Sequence, residues 1–172
     1  MRRTLGSAAL ILSALVIQTT ILPHLALFQV MPDLVLTVVI CIALVRGPSV
    51  GAVAGFTGGL LRDFLLYAPT GLSALAYLSV GYAVGAIRPY VQSTSVAVPL
   101  VGVLAGSTAG TSFYIGLSVL LGVSSGSLSR VIQVVVLTGL YNTLLVPFVY
   151  PVVRRVSNDP HATVRGDTLF PA

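Results

Sequence analysis

The stretch Arg46-Gly47-Pro48-Ser49-Val50-Gly51-Ala52-Val53-Ala54-Gly55-Phe56-Thr57-Gly58-Gly59-Leu60-Leu61-Arg62-Asp63 decides the fold class. Gly47, Gly51, Gly55 and Gly59 stand four residues apart. On a helix they share one face and open it to the backbone of another helix. The run is otherwise apolar and closes on two ionisable residues, Arg62 and Asp63. Charges at membrane depth are expensive and mark a partner, a pathway or an interface. The same spacing recurs at Gly102, Gly106 and Gly110, and once more at Gly81 and Gly85. Such ladders belong to helices packed tightly in lipid.

Composition agrees. Of the 172 residues, 56% are hydrophobic and 8% charged, against about a quarter charged in a soluble domain. The expected protein is an all-α integral membrane protein of about six transmembrane helices. Residues 1–155 form a single membrane domain, and residues 156–172 a polar, disordered cytoplasmic tail. The net charge of +5 comes from nine arginines and no lysine. In a soluble chain that balance would suggest nucleic acid. Here the arginines sit at the ends of apolar runs, as the positive-inside rule requires, so the expected partner is the lipid bilayer and no nucleic acid. The one cysteine, Cys41, lies within an apolar run and reads as a small buried hydrophobe. Two histidines distant from it give no metal site, and no cofactor is expected.

The apolar run Leu5 to Leu22 follows Met1-Arg2-Arg3 and lacks the small-x-small cleavage site of a signal peptide, so it reads as the first span. Leu25 to Met31 is expected to lie along the interface or dip into it. Pro32-Asp33 restarts the chain, with Asp33 as N-cap. The run Leu34 to Val45 has 12 residues. At that length a helix reaches about 18 Å, short of the ~30 Å hydrocarbon core, so this span is short or re-entrant. The glycine-rich span runs from Pro48 to Tyr67, and a fourth from Leu72 to Ile87 with Thr70 as a cap. The fifth, Ser95 to Val123, is long enough to need a tilt or a kink. The sixth, Ser129 to Val153, contains Asn142, Pro147 and Pro151. With both termini in the cytoplasm, the inner connections hold Arg2, Arg3, Arg46, Arg88, Arg154 and Arg155, and the outer ones only Arg62 and Arg130. That asymmetry favours both ends inside and places Arg62-Asp63 on the outer side.

Two readings stay open for each feature of interest. The ladder over Gly51, Gly55 and Gly59 either packs helices within the chain or forms a face for a partner helix or a second copy. Gly81, Gly85, Gly102, Gly106 and Gly110 carry the same choice. Arg62 and Asp63 either snorkel as a local pair or recognise a partner at the outer surface. Adjacent residues do not face each other on a helix, so Asp63 needs a partner other than Arg62. Gln18, Gln133 and Asn142 are amides within spans, suited to interhelical hydrogen bonds or to a cavity wall. Gly47-Pro48-Ser49-Val50-Gly51 matches G-x-S-x-G but sits at a membrane turn with no histidine on the same side, so no catalytic residue is assigned. The many buried carboxylates of a proton-coupled transporter are missing from the spans.

Taken in order, Gln18, Pro32-Asp33-Leu34, Arg46-Gly47, Gly51, Gly55-Phe56, Gly59-Leu60 with Asp63, Gly71-Leu72-Ser73-Ala74, Gly81-Tyr82, and Asn142 with Pro147 resemble the rod shape-determining protein MreD family. The resemblance runs from the first span to Arg155. It implies a multi-pass protein of the bacterial cytoplasmic membrane that is not an enzyme and that works in the cell-elongation machinery directing peptidoglycan synthesis. The implied partners are MreC, a single-span protein with a periplasmic coiled coil, and RodA with its class B penicillin-binding protein. A homodimer is a further implied assembly. The expected partner-binding residues are Arg62, Asp63, Gly51, Gly55, Gly59 and Phe56. The implied fold is that of the six-helix substrate-binding subunits of energy-coupling-factor transporters. Arg62 departs from the family pattern, where an apolar residue is commoner. The rival reading is a membrane solute-binding subunit of the vitamin-transport type, with Tyr77, Tyr82, Tyr141 and Asn142 lining its cavity.

Overall fold

The computed structural model describes residues 2–22, 30–66, 71–88, 97–123 and 127–157, with side chains from residue 6 onward. Most of the interfacial stretch from Leu25, the cap at Thr70 and the tail beyond residue 157 lie outside the described residues. Among the described residues six helices follow one another: α1 (Arg2–Thr20), α2 (Leu34–Arg46), α3 (Pro48–Leu65), α4 (Leu72–Ile87), α5 (Ala97–Leu120) and α6 (Leu128–Ser157). Two of them, α5 and α6, are long and apolar enough to cross a membrane, and Gly6–Thr20, α2 and α4 are shorter apolar helices. Large hydrophobic side chains such as Val16, Val53, Val101, Leu144 and Phe148 point outward. A surface of this kind suits a membrane protein.

The centre of the fold is α2. Its sequence is apolar on all sides, and a helix of that kind has to be enclosed. Every residue from Leu34 to Ala43 is buried, and α2 touches each of the other five helices. Its 13 residues rise only about 20 Å. The short span is therefore a continuous helix wrapped by its neighbours. Cys41 is fully buried within it.

Gly47 alone turns α2 into α3. Its φ of +91° favours glycine, its N–H bonds to the Ala43 carbonyl at 2.8 Å, and Pro48 opens α3 at its first position. From there the ladder runs along α4 in the opposite direction. A Cβ on Gly51 would meet the carbonyl of Gly81, on Gly55 that of Tyr77, on Gly59 that of Ser73, and a Cβ on Gly85 would meet Pro48. Backbone faces backbone along the whole of α3 and α4, which is the closest pairing in the molecule. The second ladder is looser. Gly102 lies over Leu44, Gly106 over Ile40 and Val84, and Gly110 over Leu36 and Val80, so α5 receives side chains of α2 and α4 in its notches.

The ends of α5 and α6 differ from the sequence expectation in ways that bear on their length. Helix α5 has 24 residues because Gly122, at φ +69°, ends its last turn. At ~36 Å it needs less tilt than a run to Val123 would. Helix α6 continues past Val153 through Arg154 and Arg155, with Pro147 and Pro151 inside it.

Candidate functional site

A helix buried on all sides has to satisfy its first N–H groups without help from water. At the start of α2 this falls to three side chains, one just before the helix and one each from α1 and α6. Asp33 caps the helix, its Oδ1 accepting from Leu36 N–H at 3.1 Å. Gln18 of α1 accepts from Val35 N–H at 2.9 Å. Asn142 of α6 accepts from Asp33 N–H at 2.7 Å and donates to Ser107 of α5 at 2.9 Å. Thr37 hydroxyl donates to the Asp33 carbonyl at 2.9 Å. The amides singled out in α1 and α6 thus hold the start of the central helix. Replacing Asn142 by leucine strands the Asp33 N–H and the Ser107 hydroxyl. We expect a loss of roughly 1–3 kcal/mol for each group left unsatisfied, read as a lower thermal midpoint of the detergent-purified protein.

The ladder brings the charged pair into the same cluster. Because α3 and α4 approach so closely, Arg62 donates to the Ser73 hydroxyl at 2.7 Å. Its Nε lies 3.7 Å from Asp33 Oδ2, with 19% of the Arg62 side chain and 12% of Asp33 exposed. Tyr77 hydroxyl donates to the same Oδ2. The guanidinium stands 5.8 Å from the Tyr77 ring centre and 5.7 Å from that of Tyr114, within cation–π reach. Asp63 points elsewhere. Fully buried, it accepts from the N–H groups of Gly71 at 2.9 Å and Ser73 at 3.1 Å. The N-cap of α4 is Gly71, which has no side chain to offer, so Asp63 supplies that cap from the preceding helix and faces its positive dipole end. The adjacent charges of α3 therefore meet different groups: Arg62 the Asp33 carboxylate and the Ser73 hydroxyl, Asp63 the N–H groups at the start of α4.

A cavity of about 410 Å³ opens beside this cluster. Asp33, Arg62, Tyr77 and Gln18 line one side, with Tyr114, Thr111 and Thr138 from α5 and α6. The remaining wall is apolar, with Leu36, Leu65, Leu66 and Ile115. Among the described residues no group of three or more metal-ligating side chains comes together.

The polar residues gathered here, Gln18, Asp33, Asp63 and Asn142 with the glycines that let α4 approach, are those whose order along the chain pointed to a family. A family model described as rod shape-determining protein MreD matches residues 2–156. The chain belongs to the MreD family. Membership implies a role in rod-shape determination and suggests a place in the shape-determining complex. No curated protein and no solved structure matches it.

In this MreD-family chain the singled-out residues separate into two groups. Gln18, Arg62, Asp63 and Asn142 converge at one end of the bundle, and Gly51, Gly55 and Gly59 are engaged by α4 within the chain. Phe56 lies on the opposite face of α3, 45% exposed, beside Val53. Tyr77 lines the cavity. Tyr82 is exposed and Tyr141 half-buried, both outside the cavity wall. Gln133 accepts from Arg130 at 3.4 Å near the start of α6. Ser49 is exposed in the first turn of α3. Ser107 was not singled out in the sequence, and Ser73 stood there only within the run Gly71-Leu72-Ser73-Ala74. Each is a small polar residue at a helix contact, and only the partner across the contact shows its use.

Proposed function

We propose that this chain is a non-enzymatic membrane component of the cell-elongation machinery that holds MreC and, with it, the peptidoglycan synthases RodA and a class B penicillin-binding protein. Family membership supports the rod-shape role. One further observation supports the docking role: an apolar groove of about 830 Å³ between α4 and α5. Its floor consists of small residues, Ala83, Gly102, Ala105, Gly106 and Ala109, flanked by Val101 and Phe113. Small residues let a further helix approach closely in lipid, where packing drives association. The single span of MreC is the proposed occupant. The cytoplasmic placement of both termini rests on the arginine asymmetry. We also propose a likeness to six-helix substrate-binding subunits, supported by six described helices with a cavity at one end that carries a few polar groups.

Co-purification with MreC tests the reading. Ala105→Leu and Ala109→Leu fill the groove from exposed positions, and we expect MreC capture to fall about tenfold or more, as overpacking a close contact by 1–3 kcal/mol would give. Phe56→Ala on the outer face of α3 should leave capture unchanged. If Phe56→Ala abolishes capture and the groove variants do not, α3 is the docking face. Full capture by all three variants would sink both surfaces.

A further inference from the structure

We propose that the cavity beside Arg62 is a binding site for an acidic amphiphile, a molecule with a phosphate or carboxylate head and an apolar body. Its size falls in the range of ligand pockets, ~300–1,000 Å³, and a mostly apolar wall with a few convergent polar groups is the usual make-up of such sites.

The balance of donors and acceptors gives the head-group chemistry. A guanidinium carries five N–H donors. Its one hydrogen bond among the described residues goes from Nη1 to Ser73, and its buried Nε has no hydrogen-bond acceptor. Gln18, which also lines the cavity, uses its carbonyl oxygen on Val35, and its amide N–H₂ makes no hydrogen bond among the described residues. Tyr114, Thr111 and Thr138 bring hydroxyls to the same wall. The carboxylate that lines the cavity is engaged: Asp33 receives Leu36 N–H and the Tyr77 hydroxyl and stands 3.7 Å from Arg62 Nε, while the wall hydroxyls can donate as well as accept. A site with unused donors and an engaged carboxylate suits a ligand rich in acceptor oxygens. Arginine is the side chain whose fork matches phosphate and carboxylate. A cationic ligand is disfavoured, since Arg62 already stands near both tyrosine rings. Leu36, Leu65, Leu66 and Ile115 would receive the apolar body. Arg62 lies in the last turn of α3, so the head would sit at the end of the bundle, at head-group depth. This inference goes beyond the docking role, which uses a different surface.

The same chemistry could come from a lipid or from a soluble compound, and two arms separate them. The full chain is placed in phosphatidylcholine nanodiscs, with phosphatidic acid mixed into the disc in one arm and hexyl phosphate added to the buffer in the other. We expect the thermal midpoint to rise in at least one arm, and the arm that responds identifies the source. Tyr114→Phe and Thr138→Val remove hydroxyls that make no hydrogen bond among the described residues. Each should weaken the response about tenfold, the effect of losing a hydrogen bond to a charged group. Arg155→Gln, at the far end of α6, should leave it unchanged. No shift in either arm overturns the proposal. So does a shift that Tyr114→Phe, Thr138→Val and Arg62→Gln all preserve.

Discussion

Replacing Gly55 by leucine is expected to abolish the folded protein. A Cβ at this position falls on the Tyr77 carbonyl and within 3 Å of the Leu78 nitrogen, so backbone, not a flexible side-chain end, stands in the way. Overpacking commonly costs 1–3 kcal/mol where side chains can yield. Here α3 and α4 would have to separate, and the cost is larger. Separation also withdraws Ser73 from both Arg62 and Asp63, because Tyr77 and Ser73 supply the carbonyls that face Gly55 and Gly59. The expected result is loss of the monodisperse peak of a fluorescently tagged protein on size exclusion. Gly116 has nothing within 4 Å of its Cβ position, and Gly116→Leu should retain the peak. Equal behaviour of the two variants would refute the close α3–α4 contact.

The second large effect is expected from Asp33→Ala. This change removes the α2 cap, the acceptor of the Tyr77 hydroxyl and the carboxylate beside Arg62. Breaking a buried ion pair from one side costs about 3–5 kcal/mol because the other charge is left uncompensated. The partial exposure of Arg62 and the adjoining cavity place the effect toward the lower end. Asp33→Asn keeps a capping oxygen and should fall between wild type and Asp33→Ala. The double variant Asp33→Ala with Arg62→Leu removes both charges and should melt higher than Asp33→Ala alone. If it melts lower, the two side chains are not a pair.

Much of this fold was legible because membrane helices are punctuated by few residue types. Helix α4 runs from Leu72 to Ile87 as read, since Gly71 before it and Arg88-Pro89 after it leave little choice. The end of α5 was less legible, because only the conformation of Gly122 separates the helix from the apolar residues that follow. Asp33 declared itself as a cap by its place after Pro32. Its pairing with Arg62 did not, because 29 positions separate them and the contact depends on how closely α4 approaches α3. The glycine ladder shows the same limit. Its spacing announces that some backbone comes near, and a helix of this chain or of another molecule would write the same pattern.

The hydrogen bond between Asn142 and Asp33 joins positions 109 residues apart, and this bears on how the protein is made. The central helix leaves the ribosome well before the side chain that completes its N-terminal cluster. Until α6 arrives, the Asp33 N–H and the Ser107 hydroxyl lack the side chain that joins them in the finished bundle. A nascent chain stopped before α6 would carry an unfinished polar surface inside the bilayer, the kind of defect by which membrane quality control distinguishes an incomplete polypeptide from a finished one.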